Sequence, residues 1–272
     1  MAKSCKKNIS LVIIYSSYEK LSEMDIRKYS KPFSYNGNKD IGILVIHGFT
    51  ATTYSMQYLA DKFAEAGFYV ELPLLAGHGT KWQDLNKVHY QDWIKELDKS
   101  LLKLKGKVTK IFVIGLSMGG TLALYLAETY PELKGIIIIN NACLFKNPSL
   151  IFLPVIKLIV SSVKPISSDL KDPNCKEIAY NRTPTKGLHE LFKLIKIMKK
   201  NLFKITQPIL IFKSKEDNII PVKSATYVYD RINSKNKDFI WLENSYHVAT
   251  MDFDKDIIVE KSISFIEKNS TF

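Results

Sequence analysis

Ser117 stands at the centre of Gly115-Leu116-Ser117-Met118-Gly119-Gly120, a G-x-S-x-G motif. A serine hydroxyl is a poor nucleophile near neutral pH. It needs a base to take its proton and an acid to orient that base. The motif has this meaning only where a strand runs into it and a helix leaves it. Both are expected here: residues 111–114 (Ile-Phe-Val-Ile) read as a buried strand, and 121–128 as a helix with Leu122, Leu124, Tyr125 and Leu126 on its apolar side. Small residues two positions to either side of the serine let strand and helix pass closely, so the hydroxyl stands clear of the sheet at the positive end of the helix. A glycine-rich turn with an idle serine is the bland alternative, and the flanking elements argue against it.

The acid and the base are sought further along, in the order serine, acid, histidine. A strand over 208–212 runs into Lys213-Ser214-Lys215-Glu216-Asp217-Asn218-Ile219-Ile220-Pro221, where Asp217 is the first candidate and Glu216 its rival. A last strand over 238–242 runs into Glu243-Asn244-Ser245-Tyr246-His247-Val248; His247 is the only histidine after His189 and is expected as the base. An oxyanion hole needs two backbone N–H groups. One comes from Met118, after the nucleophile, and one from Phe49 in the loop His47-Gly48-Phe49-Thr50. His47 is expected to hold that loop by hydrogen bonds, and His78, in the turn Gly77-His78-Gly79, to be structural. His89 and His189 open helices and are expected in solvent. No set of residues has metal-site spacing, and no dinucleotide or phosphate loop is present, so neither metal nor cofactor is expected.

The elements that must position these groups follow from hydrophobic patterning. Strands are expected over 41–46, 68–72, 111–114, 136–139, 208–212 and 238–242. Helices are expected over 56–66, stopped by Gly67, and over 92–104, 121–128 and 257–267. Alternating strands and helices imply an α/β fold, a mostly parallel sheet with helices on both faces. Sites in such sheets form at the carboxyl ends of strands, where His47, Ser117 and Asn140 fall. The alternation breaks after residue 142. The span to 204 carries Pro148, Pro154, Pro165, Pro173 and Pro184, an apolar run over 151–160 and a helical stretch over 188–198. This divides the chain into an N-terminal extension (1–28), expected to be loosely ordered, a core (29–143 and 205–272) and a small inserted cap (144–204). Met24 is a second candidate start.

Composition narrows the rest. A chain of 272 residues with 46% hydrophobic residues can build one large α/β domain. The 39 Lys+Arg against 27 Asp+Glu give a net charge of +12, which could favour anionic membranes, but the lysines are scattered and point to a solvated surface. No basic motif interleaved with aromatics suggests a nucleic-acid partner. Three widely spaced cysteines form no disulfide framework and fit a reducing cytoplasm. No apolar run reaches the roughly 18 residues of a membrane span, and the N-terminus lacks the features of a signal peptide.

The sequence resembles the bacterial monoacylglycerol lipase and carboxylesterase family of α/β-hydrolases. The resemblance rests on Val45-Ile46-His47-Gly48-Phe49-Thr50, Ala76-Gly77-His78-Gly79-Thr80, the elbow motif through Thr121, Ser168-Asp169-Leu170-Lys171-Asp172-Pro173, Ala179-Tyr180 with Thr183-Pro184-Thr185, and Asn244-Ser245-Tyr246-His247-Val248-Ala249-Thr250. It runs from about residue 30 to the C-terminus. It implies an α/β-hydrolase fold and cleavage of monoacylglycerols to glycerol and free fatty acid by a Ser117, Asp217, His247 triad through an acyl-enzyme, under a small mobile cap. It also places Ile166 and Glu177 at the glycerol end of the substrate. The implied partner is a monoacylglycerol or other small acyl ester, with transient membrane-surface contact through the cap and a monomer or homodimer as the assembly. A general short- to medium-chain carboxylesterase is the alternative. An acyltransferase, or an inactive binding scaffold, is a further one; the scaffold would lack a triad member, and all three are present. The apolar side of 151–160 is expected to roof an acyl tunnel, against a competing reading in which it docks on a membrane or a second subunit.

Overall fold

The computed structural model describes residues 26–146, 148–166 and 168–271. Its strands are β1 (Phe33–Tyr35), β2 (Ile41–Ile46), β3 (Tyr69–Leu72), β4 (Lys110–Leu116), β5 (Gly135–Ile139), the two short strands β6 (Ser162–Val163) and β7 (Thr183–Pro184), then β8 (Ile209–Ser214) and β9 (Lys237–Leu242). Seven form one sheet in the order β1-β3-β2-β4-β5-β8-β9; β6 and β7 make a separate antiparallel pair. Within the large sheet only β1 is antiparallel to its neighbour. A parallel sheet covered on both faces needs strands apolar on both faces. The fully buried IGILVI of β2 and GIIII of β5 meet that need.

Successive side chains of each strand enter two different cores, as period-two geometry requires. Leu44, Ile46, Val113, Ile136, Ile138 and Ile211 face the core closed by α3 (Tyr90–Lys105), α4 (Met118–Thr129) and α6 (Thr185–Asn201). Ile43, Val45, Phe112, Ile114, Ile137 and Phe212 face the core closed by α1 (Tyr54–Glu65) and α8 (Lys255–Ser270). The remaining helices are short: α2 (Trp82–Leu85), α5 (Leu153–Ile159) and α7 (Lys223–Tyr229). Among the described residues no helix is long and apolar enough to cross a membrane.

Several elements differ from the sequence expectation. Edge strand β1 is three residues long and half exposed, too short to show a period. Helix α7 is seven residues of mixed propensity. Helix α6 starts at Thr185, because Asn86 Oδ1 accepts from Lys186 N (2.9 Å) and Gly187 N (3.2 Å) and so satisfies its first amides from 100 positions away. His189 therefore lies inside a helix, half-buried, and not at a solvated helix start. Leu188, Leu191, Leu194 and Met198 of α6 share the core with Leu122 and Leu126 of α4. The run 151–160 splits between two directions. Leu153 is buried, whereas Ile151 and Ile159 are 77% and 82% exposed, and Phe152, Val155 and Leu158 join them on the outer face. A turn and a seven-residue helix in succession cannot direct every apolar residue of this run to one side. The extension expected over 1–28 lies outside the described residues except for 26–28, a helical turn whose Ile26 is buried in the core.

Candidate active site

Strand β4 ends at Leu116, α4 begins at Met118, and Ser117 between them takes φ 55° and ψ −113°. Positive φ at a non-glycine residue costs about 1–3 kcal/mol and persists only where its surroundings impose it. Here Ser117 N donates to Ile139 O (2.9 Å), and Ser117 O accepts from Ala142 N (3.1 Å) and Thr121 N (3.2 Å). The two motif glycines make the turn sterically feasible. A Cβ on Gly115 would sit 2.2 Å from the Gly119 carbonyl group, and one on Gly119 would sit 2.2 Å from Ile46 O.

Parallel register brings the strand ends together: Ile46 pairs with Gly115, Leu116 with Ile139, and Ser214 with Leu242. The loops that follow deliver three side chains to one point. His247 Nε2 is 2.9 Å from Ser117 Oγ, and His247 Nδ1 is 3.0 Å from Asp217 Oδ2. A carboxylate can only accept, so Nδ1 carries the proton and Nε2 is free to accept from the serine hydroxyl. Asp217 Oδ1 accepts from Ile219 N (2.9 Å) and Ile220 N (2.8 Å). Burial alone would raise the Asp217 carboxyl; the charge and hydrogen bond of His247, then those of Lys213, outweigh it and hold the group well below the usual carboxylate range. Glu216, the rival acid, turns outward, half exposed, and pairs with Lys171 at 2.6 Å.

Asn140, at φ 45°, ties the acid and histidine loops together. Its Nδ2 donates to Ser214 Oγ (2.9 Å) and His247 O (2.9 Å), and its Oδ1 accepts from Ser214 N (2.9 Å). Asp169 adds a second tie, accepting from Asn218 N (3.0 Å) and His247 N (3.1 Å) on Oδ2. Beneath Asp217 lies a residue the sequence reading passed over. Lys213, fully buried, donates to Asp217 Oδ2, Ile220 O (3.0 Å) and Asn140 Oδ1 (3.2 Å). Its signal was a charge closing the apolar run Ile209-Leu210-Ile211-Phe212, four positions before the acid.

Across from the acid loop, Phe49 and Ser117 border one cavity. Met118 N is the first amide of α4, without an intrahelical acceptor, and Phe49 N donates to no described residue. The loop carrying Phe49 is braced as expected of His47. Leu75 N donates to His47 Nε2 (3.1 Å), which leaves the proton on Nδ1 to donate to Gly48 O (2.9 Å). Burial pushes His47 down to about 4, so it stays neutral. His78 is buried edge-on to His47 and flat on Tyr180, its Nδ1 donating to Ala76 O (3.1 Å). Among the described residues no group of three or more His, Cys, Asp or Glu is placed to hold a metal ion.

The cavity at Ser117 measures about 40 Å³ and is also bordered by His247, Phe145, Ile166 and Glu177. Its wall is apolar except for Thr50, Ser117, His247 and Glu177. This buried carboxylate accepts from Ser168 N (2.6 Å), and burial pushes it up. Phe145, Ile166, Leu188 and Ile219 divide this space from a second cavity of about 450 Å³, which the inner residues Leu150, Leu153 and Ile156 line. Both residues that the resemblance assigned to the glycerol end thus lie beside Ser117.

A family profile described as "Serine aminopeptidase, S33" matches residues 37–254. The thermostable monoacylglycerol lipase of Bacillus sp. (strain H-257) is 41% identical over 248 residues, covering 89% of this chain and 96% of its own. The carboxylesterase of Bacillus subtilis (strain 168) is 28% identical over 246 residues, covering 88% and 96%. A solved structure from the metagenome-derived lipolytic enzymes LipS and LipT superposes with a TM-score of 0.86 at 37% identity, covering 88% of this chain and 98% of that one. Likeness that extends from the strand before His47 past His247 is too extensive for a shared motif alone: the chain belongs to the monoacylglycerol lipase and carboxylesterase family of α/β-hydrolases and is an ester hydrolase.

Proposed function

We propose that the enzyme cleaves monoacylglycerols to glycerol and a free fatty acid through an acyl-enzyme on Ser117. Ser117 Oγ attacks the ester carbonyl while His247 Nε2 takes its proton, and Asp217 stabilises the imidazolium. The tetrahedral oxyanion accepts from Met118 N and Phe49 N, each such donor lowering the barrier by about 3 kcal/mol. Collapse breaks the ester C–O bond, and His247 returns the proton to the glycerol oxygen. Water then enters, gives a proton to His247, attacks the acyl carbonyl and releases the fatty acid with Ser117 restored.

The observation that carries the substrate assignment is Glu177, a buried carboxylate in a largely apolar wall beside Ser117 and Ile166. Its oxygen not engaged by Ser168 is suited to accept from glycerol hydroxyls, which a simple alkyl ester cannot donate. The acyl chain takes the second cavity once Phe145 and Ile166 separate. Burying about ten methylenes there at ~0.8 kcal/mol each supplies ample affinity for one chain. We read 144–204 as the cap. The exposed outer face of α5 is suited to transient contact with a lipid surface, where such substrates reside. The free thiols Cys143 and Cys175 agree with a cytoplasmic setting.

The test is a hydrolysis panel of mono-, di- and triacylglycerols, methyl esters of matched chain length and an aminoacyl anilide, run on the native enzyme and on Glu177→Ala. The monoacylglycerol should be preferred, and Glu177→Ala should lose at least about tenfold on it while the methyl ester changes little. Equal loss on both esters removes Glu177 from glycerol recognition. Equal native rates on both would favour the general carboxylesterase reading. Turnover of the anilide at the ester's rate would contradict ester specificity.

A further inference from the structure

Burial pushes Lys213 down, and the three acceptors around its Nζ, Asp217 foremost, hold the proton against it. A neutral amine has two N–H groups and a lone pair, and that lone pair would have to face an oxygen. An ammonium has three donors and no acceptor. Asp217 Oδ2, Asn140 Oδ1 and Ile220 O come from the acid loop, from the end of β5 and from the turn after Asp217, and together they take three donors. The same Asp217 Oδ2 accepts from His247 Nδ1, so the ammonium and the imidazole nitrogen sit within about 6 Å of each other. Few arrangements justify burying an ammonium with no exposed atom, and removing one partner of such a pair is costly.

We propose that Lys213 is a positioning residue for the reaction: it locks Asp217 Oδ2 on His247 Nδ1 and, as a cation behind the carboxylate, keeps the enzyme active to lower pH than the three triad residues alone would. This rests on the reading of Ser117, Asp217 and His247 as the triad. The lock is geometric. Asp217 Oδ1 is held by Ile219 N and Ile220 N, and Oδ2 by Lys213 and His247, so the carboxylate has no freedom to rotate. The charge effect is electrostatic. A protonated imidazole beside Asp217 gains from that carboxylate, and a cation on the same oxygen takes part of the gain away. The other charged groups around the triad act alongside. Lys146 donates to Asp217 O (2.7 Å), Asp169 accepts from His247 N (3.1 Å), and Glu177 lies across the cavity.

The experiment is the pH profile of kcat/KM for Lys213→Met and Lys213→Gln against the native enzyme, with a soluble ester as substrate. The acid limb should move up by about half to one pH unit in both variants. In Lys213→Met kcat at the optimum should also fall roughly tenfold with KM little changed, because the carboxylate loses an anchor. Lys213→Gln, which still donates to the carboxylate, should recover most of kcat but keep the shifted limb. A purely structural lysine would lower the melting temperature and leave the limb where it was; folded variants with an unmoved limb overturn the proposal. Should neither variant fold, nitrogen-detected NMR of the native side chain decides: Lys213 must be an ammonium at the pH of maximal activity, and a neutral amine there overturns it. Failure of the triad reading is separate, since it would show as hydrolysis surviving in Ser117→Ala whatever Lys213 does.

Discussion

Asp217 and Glu216 are neighbours of the same chemical type, yet they have opposite surroundings. Asp217 is buried with four donors on its two oxygens, and Glu216 is 51% exposed with one lysine partner. An amide in place of Asp217 still fills the space but offers His247 a different hydrogen-bond pattern and no charge. Asp217→Asn should therefore lower kcat by roughly ten-thousand-fold, through loss of the correct tautomer and of imidazolium stabilisation. Glu216→Gln removes only an exposed ion pair and should stay within about twofold. Steady-state kinetics on one soluble ester checks both, and the reverse ordering would reassign the acid. Sequence alone could rank these two residues by loop position but could not separate them, because which of two adjacent carboxylates turns inward depends on backbone amides that only the folded loop presents. Lys213 was hidden for a related reason: a lysine at a strand end reads as solvated unless its acceptors, Asn140 and Ile220, are known to converge there.

Elements whose burial pattern is periodic were legible. Strands β2, β4 and β5 are continuous apolar runs, and the elbow between β4 and α4 follows from two glycines that no side chain could replace. Elements defined by distant partners were not. The start of α6 depends on Asn86, and the two-residue pair of β6 with β7 has no period to read. The apolar stretch at α5 was legible as unusual but not as two-faced. Its inner side chain Ile156 lines the larger cavity, and its outer Ile159 lies in solvent. This predicts opposite outcomes from one helix. Ile156→Trp fills the acyl cavity and should cut turnover of long-chain monoacylglycerols at least about tenfold relative to short-chain ones. Ile159→Asp should leave turnover of a soluble short ester within about twofold while weakening turnover of substrate embedded in vesicles. Equal effects of both changes on both substrates would show that the helix is not divided in this way.

At the scale of the whole molecule, Glu128 ties stability to pH. Glu128 of α4 buries its Oε1 without a partner, and burial pushes it from an ordinary value of 4.5 up to about 8, against the pull of Lys204 and Asn201. Between those two values the folded protein holds a proton that the unfolded chain has lost, so folding stability falls as pH rises through this window and the whole penalty is present above it. Glu128→Gln stays neutral throughout. It should melt on the order of 5 °C higher than the native protein near pH 9 and at nearly the same temperature near pH 4. Thermal unfolding at the two pH values checks this, and an equal shift at both would assign the effect to packing instead of charge. Glu128 lies near the far end of α4 from Ser117, about 15 Å away by helical rise, so activity at moderate temperature should not follow the melting temperature.

Every role proposed above depends on Ser117 as the nucleophile, placed by the elbow and paired with His247 at 2.9 Å. The most direct measurement is peptide mapping by mass spectrometry after reaction with a serine-directed phosphonate ester, alongside hydrolysis by Ser117→Ala. The adduct should map to Ser117 alone, and the variant should retain less than ~1% of native hydrolysis, since losing a nucleophile costs several orders of magnitude. An adduct on another residue, or hydrolysis above ~1% in a clean preparation of the variant, would contradict the account.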